Sequence, residues 1–442
     1  MRRLLPSLRT AAPYAVAVLA VAHYVRGIAV EMVTARPEIL DFDVYYRAAR
    51  AVASGAHLYA PYTGCCFEGS AMDGYTYPPL LAVLLSPLSA LPVGVAGRVF
   101  LGLSQLCLAG ALVLMHLTVR GMVTRRTEAW LLAAVLLFQP IHAGNGGIQV
   151  ENVLLLLLAG AAHGTVRGRA AVASGALLGL GAALKLTPAL VLPALVTRRG
   201  RWAAMAVGGF ALALAVPTLL AWTVAPETPG YLTGVLPRFA GGVASQYSRS
   251  LPGVILRTYG DSGRVAPAIW ATVFHVTQLA ALVFTWLWCR RASGSPAARA
   301  ATMAAFVALV PITEPVAWDH HMASDALAFV LLAPSLRMRS IELWAAGAGM
   351  ALMSVNELVL TSMLQGAGLD PPQGLGTAVY LAGVSVNLVG MVLLYGTALH
   401  VAGRLRTRGE PRGLPVTGRR VARVGRAAAI RGVGGPAEAP AR

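Results

Sequence analysis

The sequence predicts an all-α, polytopic membrane protein with about twelve transmembrane helices and amphipathic helices on one external face. Three observations carry this. The 442 residues are 57% hydrophobic and only 12% charged, about half the roughly 25% usual in soluble domains. Apolar runs long enough for roughly 30 Å of hydrocarbon recur along almost the whole chain. Short arginine clusters alternate along the chain with segments that hold the carboxylates. Mean hydropathy is +0.65. A transmembrane β-barrel needs alternating segments of about ten residues, and the sequence has none. The net charge of +18 does not point to nucleic acid, because the arginines sit between apolar runs and in the tail.

The expected spans are Thr10–Val30, Val93–Leu117, Ala129–His142, Val150–Thr165, Ala171–Leu184, Thr187–Val196, Ala203–Val224, Ala266–Trp288, Ala300–Ile312, Met322–Pro334, Trp344–Leu364 and Thr377–Ala398. The fifth and sixth are short for a bilayer and must lean on neighbours. The first follows Arg2, Arg3 and Arg9 without a convincing cleavage site, so it reads as a retained anchor. With the N-terminus in the cytoplasm, every inside connection is basic: Arg120/Arg125/Arg126, Arg167/Arg169, Arg198/Arg199/Arg201, Arg290/Arg291/Arg299 and Arg337/Arg339. That matches the positive-inside rule. Glu38, Asp41, Asp43, Glu68, Asp73, Glu151, Glu227, Asp261, Glu314, Asp319 and Asp370 all fall outside.

Residues 1–403 read as the membrane domain. Its two long external segments are 31–92 and 225–265. The tail, 404–442, is basic, rich in Gly, Ala and Pro, and expected to be disordered and cytoplasmic. In the first segment, Phe42, Tyr45, Ala49 and Val52 form one helical stripe with Gly55 as a stop. A second short helix follows Tyr75–Pro79, with proline in its first turn. Cys65 and Cys66 are adjacent in this segment, bonded or free; Cys107 and Cys289 lie in apolar runs.

Six polar stretches, far apart in sequence, fall at one membrane face: Asp41–Tyr46, Tyr75–Pro79, Gly147–Asn152, Lys185–Pro188, Ser248–Arg257 and Glu314–His321. Polar groups near spans are costly and tend to be functional, so this face is the candidate site. Asp43 shares a helical face with Arg47 and reads as an exposed ion-pair member. Asp41 faces the apolar stripe and reads as a general base or as the helix N-cap, two compatible roles. Tyr45 and Tyr77 are substrate-binding candidates from the first two stretches. Lysine is nearly absent from the chain, and Lys185 is placed either to neutralise an anion or to snorkel. Gln149 and Asn152, at i and i+3, suit sugar hydroxyls, with Glu151 between them pointing elsewhere. Arg249 and Arg257 are anion candidates or members of an ordinary basic loop. His320 and His321 point about 100° apart on a helix and rarely share one ion. They read as hydrogen-bonding or phosphate-contacting groups, or as a satisfied interface pair, with Trp318 as an anchor or sugar platform.

No nucleotide-phosphate signature occurs. Asp41 and Asp43 diverge on a helix and do not make a divalent-ion pair. No cofactor and no metal are therefore expected, and a membrane-resident donor fits an external site.

In order, the motifs DFxVYYxAA, YTYPP, Q-V-x-N, LKLTP, S-L-x-G-x-x-x-R and W-x-H-H resemble glycosyltransferase family 87. This group contains actinobacterial polyprenol-phosphate-mannose-dependent α-mannosyltransferases and some arabinofuranosyltransferases. The resemblance runs from Asp41 to about Leu364. It implies the C-type glycosyltransferase fold, a polyprenyl-phosphate sugar donor, inversion at the anomeric carbon, and a glycolipid or lipoglycan acceptor. The family's catalytic aspartate falls on Asp41, its motif histidines on His320 and His321, and its lysine on Lys185. The sequence departs from the family at Ser248 and Arg249, where Asn-Gln is common, and at Glu151, where an apolar or small residue is common. Three other readings stay open: an arabinofuranosyltransferase using decaprenyl-phosphate arabinose, a lipid or solute transporter, and a purely structural membrane scaffold. The second would use Arg26 and Asp325, which lie near or within apolar stretches.

Overall fold

The computed structural model describes residues 4–37, 41–60, 74–225, 228–237, 248–259, 268–292, 294–337, 340–366, 383 and 385–407. No strand occurs among them, and the chain is a bundle of helices. The Cys65–Cys66 pair, Glu38, Glu68, Asp73, Glu227, Asp261, Asp370, Arg339 and residues 408–442 lie outside the described residues, as does the side chain of Arg257.

The first half comprises α1 (Leu4–Thr34), α2 (Asp41–Ser54), α3 (Pro79–Leu85), α4 (Val93–Val119), α5 (Arg125–Leu136), α6 (Gln139–Gly146), α7 (Glu151–Arg167), α8 (Ala171–Leu184), α9 (Leu192–Val196) and α10 (Arg201–Val224). Then come α11 (Leu251–Tyr259), α12 (Ala268–Cys289), α13 (Pro296–Thr313), α14 (Asp325–Leu332), α15 (Ile341–Met353), α16 (Glu357–Gly366) and α17 (Val386–Thr407). Among the described residues, six segments are long and apolar enough to cross a membrane: Thr10–Thr34, Val93–Val119, Arg201–Val224, Trp270–Cys289, Pro296–Thr313 and Val386–Arg406.

The other expected spans are shorter or broken helices. Ala129–His142 divides into α5 and α6, with Pro140 in the first turn of α6. Thr187–Val196 is a tight 3-10 turn, Thr187–Val191, followed by α9, each with a proline at its start. Met322–Pro334 becomes a 3-10 turn (Asp319–Ser324), α14 and a second 3-10 turn. Proline lacks an N–H and clashes with the preceding turn, so it breaks an apolar run without lowering its hydropathy. Arg404 and Arg406, expected at the head of a disordered tail, instead lie in the last turn of α17.

Small residues set the closest helix contacts. At Gly175 and Gly179 on α8, an added Cβ would strike the backbone of Ala206 and Phe210 on α10; at Gly209 it would strike that of Val172. Backbones that meet this closely leave no room for a side chain. Gly179→Leu should therefore push α8 from α10, lower the melting temperature in detergent, and displace Lys185 at the end of α8. A thermal unfolding scan checks this. α13 is buried along nearly its whole length, because its alanines let the neighbouring helices approach.

A second core holds α2 and α3 on the bundle. Phe42, Tyr45, Ala48 and Ala49 form the buried face of α2. Phe42 stacks on Phe100 of α4 at 5.6 Å. Gly55 has φ +68 and ends α2 in the left-handed conformation that glycine tolerates. α3 begins at Pro79. Both features agree with the sequence reading.

Candidate active site

Asp41, Tyr45, Tyr77, Gln149, Lys185, Trp318, His320 and His321 line one cavity of about 420 Å³. They come from α2, the turn before α3, the turn before α7, the end of α8 and the Asp319–Ser324 turn.

Asp41 opens α2, and its Oδ2 accepts a hydrogen bond from Gln149 Nε2. Burial pushes its carboxyl up to about 6, reinforced by the nearby Glu151 charge and opposed by the Gln149 hydrogen bond, His321 and Lys185. Gln149 Oε1 in turn accepts from the Tyr45 hydroxyl, and the Tyr45 and Tyr77 hydroxyls sit 3.0 Å apart. Burial pushes the Tyr77 phenol up to about 12, so it stays a neutral donor. The turn that presents Gln149 is strained: Ile148 has φ +52, a conformation costly for a β-branched residue. Such strain often marks a functional site.

Lys185 is the only lysine in the sequence. It caps α8 in an extended conformation, because the ring of Pro188 would clash with the carbonyl of Leu184, four residues back, if the helix continued. Its Nζ lies 2.7 Å from Glu151 Oε1 and 2.9 Å from His321 Nε2. Burial alone would lower the ammonium, but Glu151, together with Tyr77 and Glu314, outweighs this and holds it above its ordinary value. His321 Nδ1 is 2.7 Å from Glu314 Oε2. An ammonium only donates, so His321 Nε2 accepts from Lys185 and its Nδ1–H donates to Glu314. One chain of hydrogen bonds thus links Glu151, Lys185, His321 and Glu314. Burial pushes His320 down to about 3, and this neutral ring packs edge-on against His321 at 4.7 Å and Trp318 at 5.9 Å.

Two expected site residues do not reach the cavity. Asn152 is buried in a polar network, donating to Ser104 (2.9 Å) and Asn145 (3.0 Å). The i, i+3 pairing with Gln149 fails because α7 starts at Glu151, which leaves Gln149 in a non-helical turn. Arg249 pairs with Asp319 at 2.8 Å and is buried. It braces the turn that carries the histidines. Glu151 is the converse correction: it points into the cluster. Its position in the first turn of α7 suits a carboxylate. Asp43 pairs with Arg47 at 2.6 Å, as expected.

His275 and Gln278 of α12 and Tyr231 also line the cavity. The sequence signal for the first two is a polar pair at i, i+3 within an apolar run. Glu151, His320 and His321 bring ligand atoms within 4.8 Å of one another. The Lys185 ammonium already takes the Glu151 and His321 lone pairs, so this donor set is met by an internal cation. A metal would have to displace that cation.

The sequence model of glycosyltransferase family 87 matches residues 75–313. The chain belongs to this family. The matched interval contains Tyr77, Gln149, Glu151 and Lys185, while Asp41 precedes it and Glu314 to His321 follow it. A polyprenol-phosphate-mannose-dependent alpha-(1-2)-phosphatidylinositol mannoside mannosyltransferase of Mycobacterium tuberculosis is 29% identical over 393 residues, 84% of this chain and 86% of its own. The Mycolicibacterium smegmatis enzyme of the same description is 31% identical over 349 residues, 72% and 75% of the two chains. Among solved structures, ArnT from Cupriavidus metallidurans in the apo state aligns with TM-score 0.43 and 17% identity, over 88% of this chain and 76% of that one. The chain is thus a membrane glycosyltransferase of family 87.

Proposed function

We propose that this family 87 enzyme moves mannose from a polyprenyl-phosphate donor to a glycolipid or lipoglycan acceptor, with inversion, in a C-type glycosyltransferase architecture. The site faces the extracytoplasmic side, and both termini are cytoplasmic, as the arginine distribution supports. The observation that carries the reading is one cavity that sets a carboxyl of raised pKa, Asp41, beside the Lys185–His321 cluster. Leu186, Leu190, Val316 and Leu236 flank that cavity and suit a polyprenyl chain. The descriptions of the mycobacterial relatives favour mannose and a phosphatidylinositol mannoside acceptor.

In the reaction, Asp41 takes the proton from an acceptor hydroxyl. The acceptor oxygen forms its bond to the anomeric carbon as the bond to the phosphate oxygen breaks on the opposite face. The lipid phosphate leaves with the electron pair. Lys185 exchanges its contact with Glu151 for this phosphate and stabilises the developing charge. Neutral Tyr77 and Gln149 offer donors to sugar hydroxyls. Trp318 offers an apolar ring face. A phosphate needs little acid assistance to leave, so one carboxylate base suffices.

Because Asp41 must be ionised to act, the rate should fall about tenfold per pH unit below about 6 and level off above it. A kcat/KM–pH profile checks this limb. Arg26 is exposed on α1 and Asp325 is buried away from the cavity, so neither supports a transport path through it. The donor is tested by offering purified enzyme radiolabelled polyprenyl-phosphate-mannose and decaprenyl-phosphate-arabinose separately. Label transferred from the first alone supports the mannose reading. Transfer from arabinose alone replaces it with the arabinofuranosyltransferase reading.

A further inference from the structure

α7 and α13 each run from the cavity to the other end of the bundle. Glu151 opens α7, and Val166 lies near its far end; Glu314 follows α13, and Arg299 lies near its start. About 22 Å of helix separates the two ends. That far end is basic and aromatic. Arg198 lies 4.1 Å over the Trp202 ring, and Arg290 lies 5.2 Å over the Trp286 ring. α9, which leads into Arg198, packs against both α12 and α13, so the two Arg–Trp pairs belong to one group of helices.

Arg299 is fully engaged there. It donates to the Val166 carbonyl at 3.0 and 2.7 Å and to that of Gly294 at 3.0 Å, which closes the end of α7. It also repels Arg198. Both guanidinium groups border Gly168, 3.4 Å and 3.6 Å from the place a Cβ would take there. Arg198 and Arg290 differ from Arg299, whose guanidinium is met by backbone carbonyls: among the described residues no carboxylate pairs with either, and Arg198 Nη1 and Arg290 Nε are buried without an acceptor. Four buried donors lie at this end, one on each residue of the two pairs: Arg198 Nη1, Arg290 Nε and the indole N–H groups of Trp202 and Trp286. None has an acceptor among the described residues. Buried polar groups in folded proteins are nearly always paired. Four donors and no acceptor, with two unneutralised guanidinium charges, match the chemistry of a phosphate group.

Apolar surface lies directly beside them. Met205, one turn beyond Trp202, is 40% exposed, and Phe284 and Leu287, flanking Trp286, are 50% and 44% exposed. We propose that Arg198, Arg290, Trp202 and Trp286 form a site for the phosphate of an anionic lipid headgroup, with acyl chains running along α10 and α12. Its location, across the bundle from the cavity, makes it distinct from the donor and acceptor sites, and it stands whichever sugar the enzyme transfers. A basic pocket between spanning helices is a recurring form of headgroup recognition.

The test uses the full chain, delipidated in a non-ionic detergent, with thermal unfolding as the readout. Phosphatidylglycerol, phosphatidylcholine and inorganic phosphate are added separately to the wild type, to the double variant Arg198→Gln/Arg290→Gln and to Trp286→Phe. Phosphatidylglycerol should raise the wild-type melting temperature by about 2–4 °C, with phosphatidylcholine inert. The double variant should lose the shift, and Trp286→Phe, which removes the indole N–H and keeps an aromatic ring at that position, should show a smaller one. An equal shift with phosphatidylcholine, or an undiminished shift in both variants, overturns the site. An equal shift from inorganic phosphate overturns its assignment to a lipid.

Discussion

Asp41→Asn should fold as the wild type does and transfer sugar roughly 10²–10⁴ times more slowly. The substitution keeps the size of the side chain and an oxygen that can accept from Gln149, so the Asp41–Gln149–Tyr45 chain can persist. α2 is held by Phe42, Tyr45, Ala48 and Ala49, which are essentially fully buried, and none of these contacts involves the carboxylate. What is lost is the ability to take a proton. The deficit should appear in kcat with little change in KM, since the group acts on the acceptor hydroxyl during bond formation. The pH limb near 6 should vanish with it. A variant that retains wild-type turnover removes Asp41 from the base role.

Lys185→Met should reduce kcat/KM by roughly 10²–10³, the usual loss when a donor to a developing oxyanion is removed. Methionine preserves the length of the stem and its packing against Tyr77. The substitution also leaves Glu151 buried without its ammonium partner, and breaking such a pair is destabilising. The paired variant Lys185→Met/Glu151→Gln separates the two effects: it should recover thermal stability and not recover turnover. Recovery of turnover in the double variant would show that Lys185 serves only to neutralise Glu151. Steady-state kinetics alongside unfolding scans distinguishes these outcomes.

Where local rules decide, the site was legible in the sequence. α2 was readable because its apolar stripe has a helical period and Gly55 supplies the stop. The face of Asp41 follows from the same period. The convergence of Asp41, Tyr77, Gln149, Lys185 and His321 followed from charge topology, which assigns whole segments to one side. The partners were not legible, because they are set by packing between distant segments. Arg249 looked like an anion ligand, yet its carboxylate lies at Asp319, 70 positions away. A helix that included Gln149 would turn Glu151 away from it; the strained turn at Ile148 starts α7 two residues later and swings Glu151 onto Lys185. Asn152 fell out of the site for the same reason. The span boundaries blurred where prolines break a run that stays apolar throughout, as at Pro140 and Pro188.

The most direct test of the account is the configuration of the new linkage. Purified enzyme is given β-configured polyprenyl-phosphate-mannose and phosphatidylinositol mannoside, and the one-bond carbon–proton coupling at the transferred sugar's anomeric carbon is measured by NMR. A single carboxylate base with a lipid phosphate leaving from the opposite face predicts an α-linked product. A β-linked product would contradict it, because retention requires a second displacement through a covalent enzyme intermediate, and Asp41 would then be a nucleophile rather than a base.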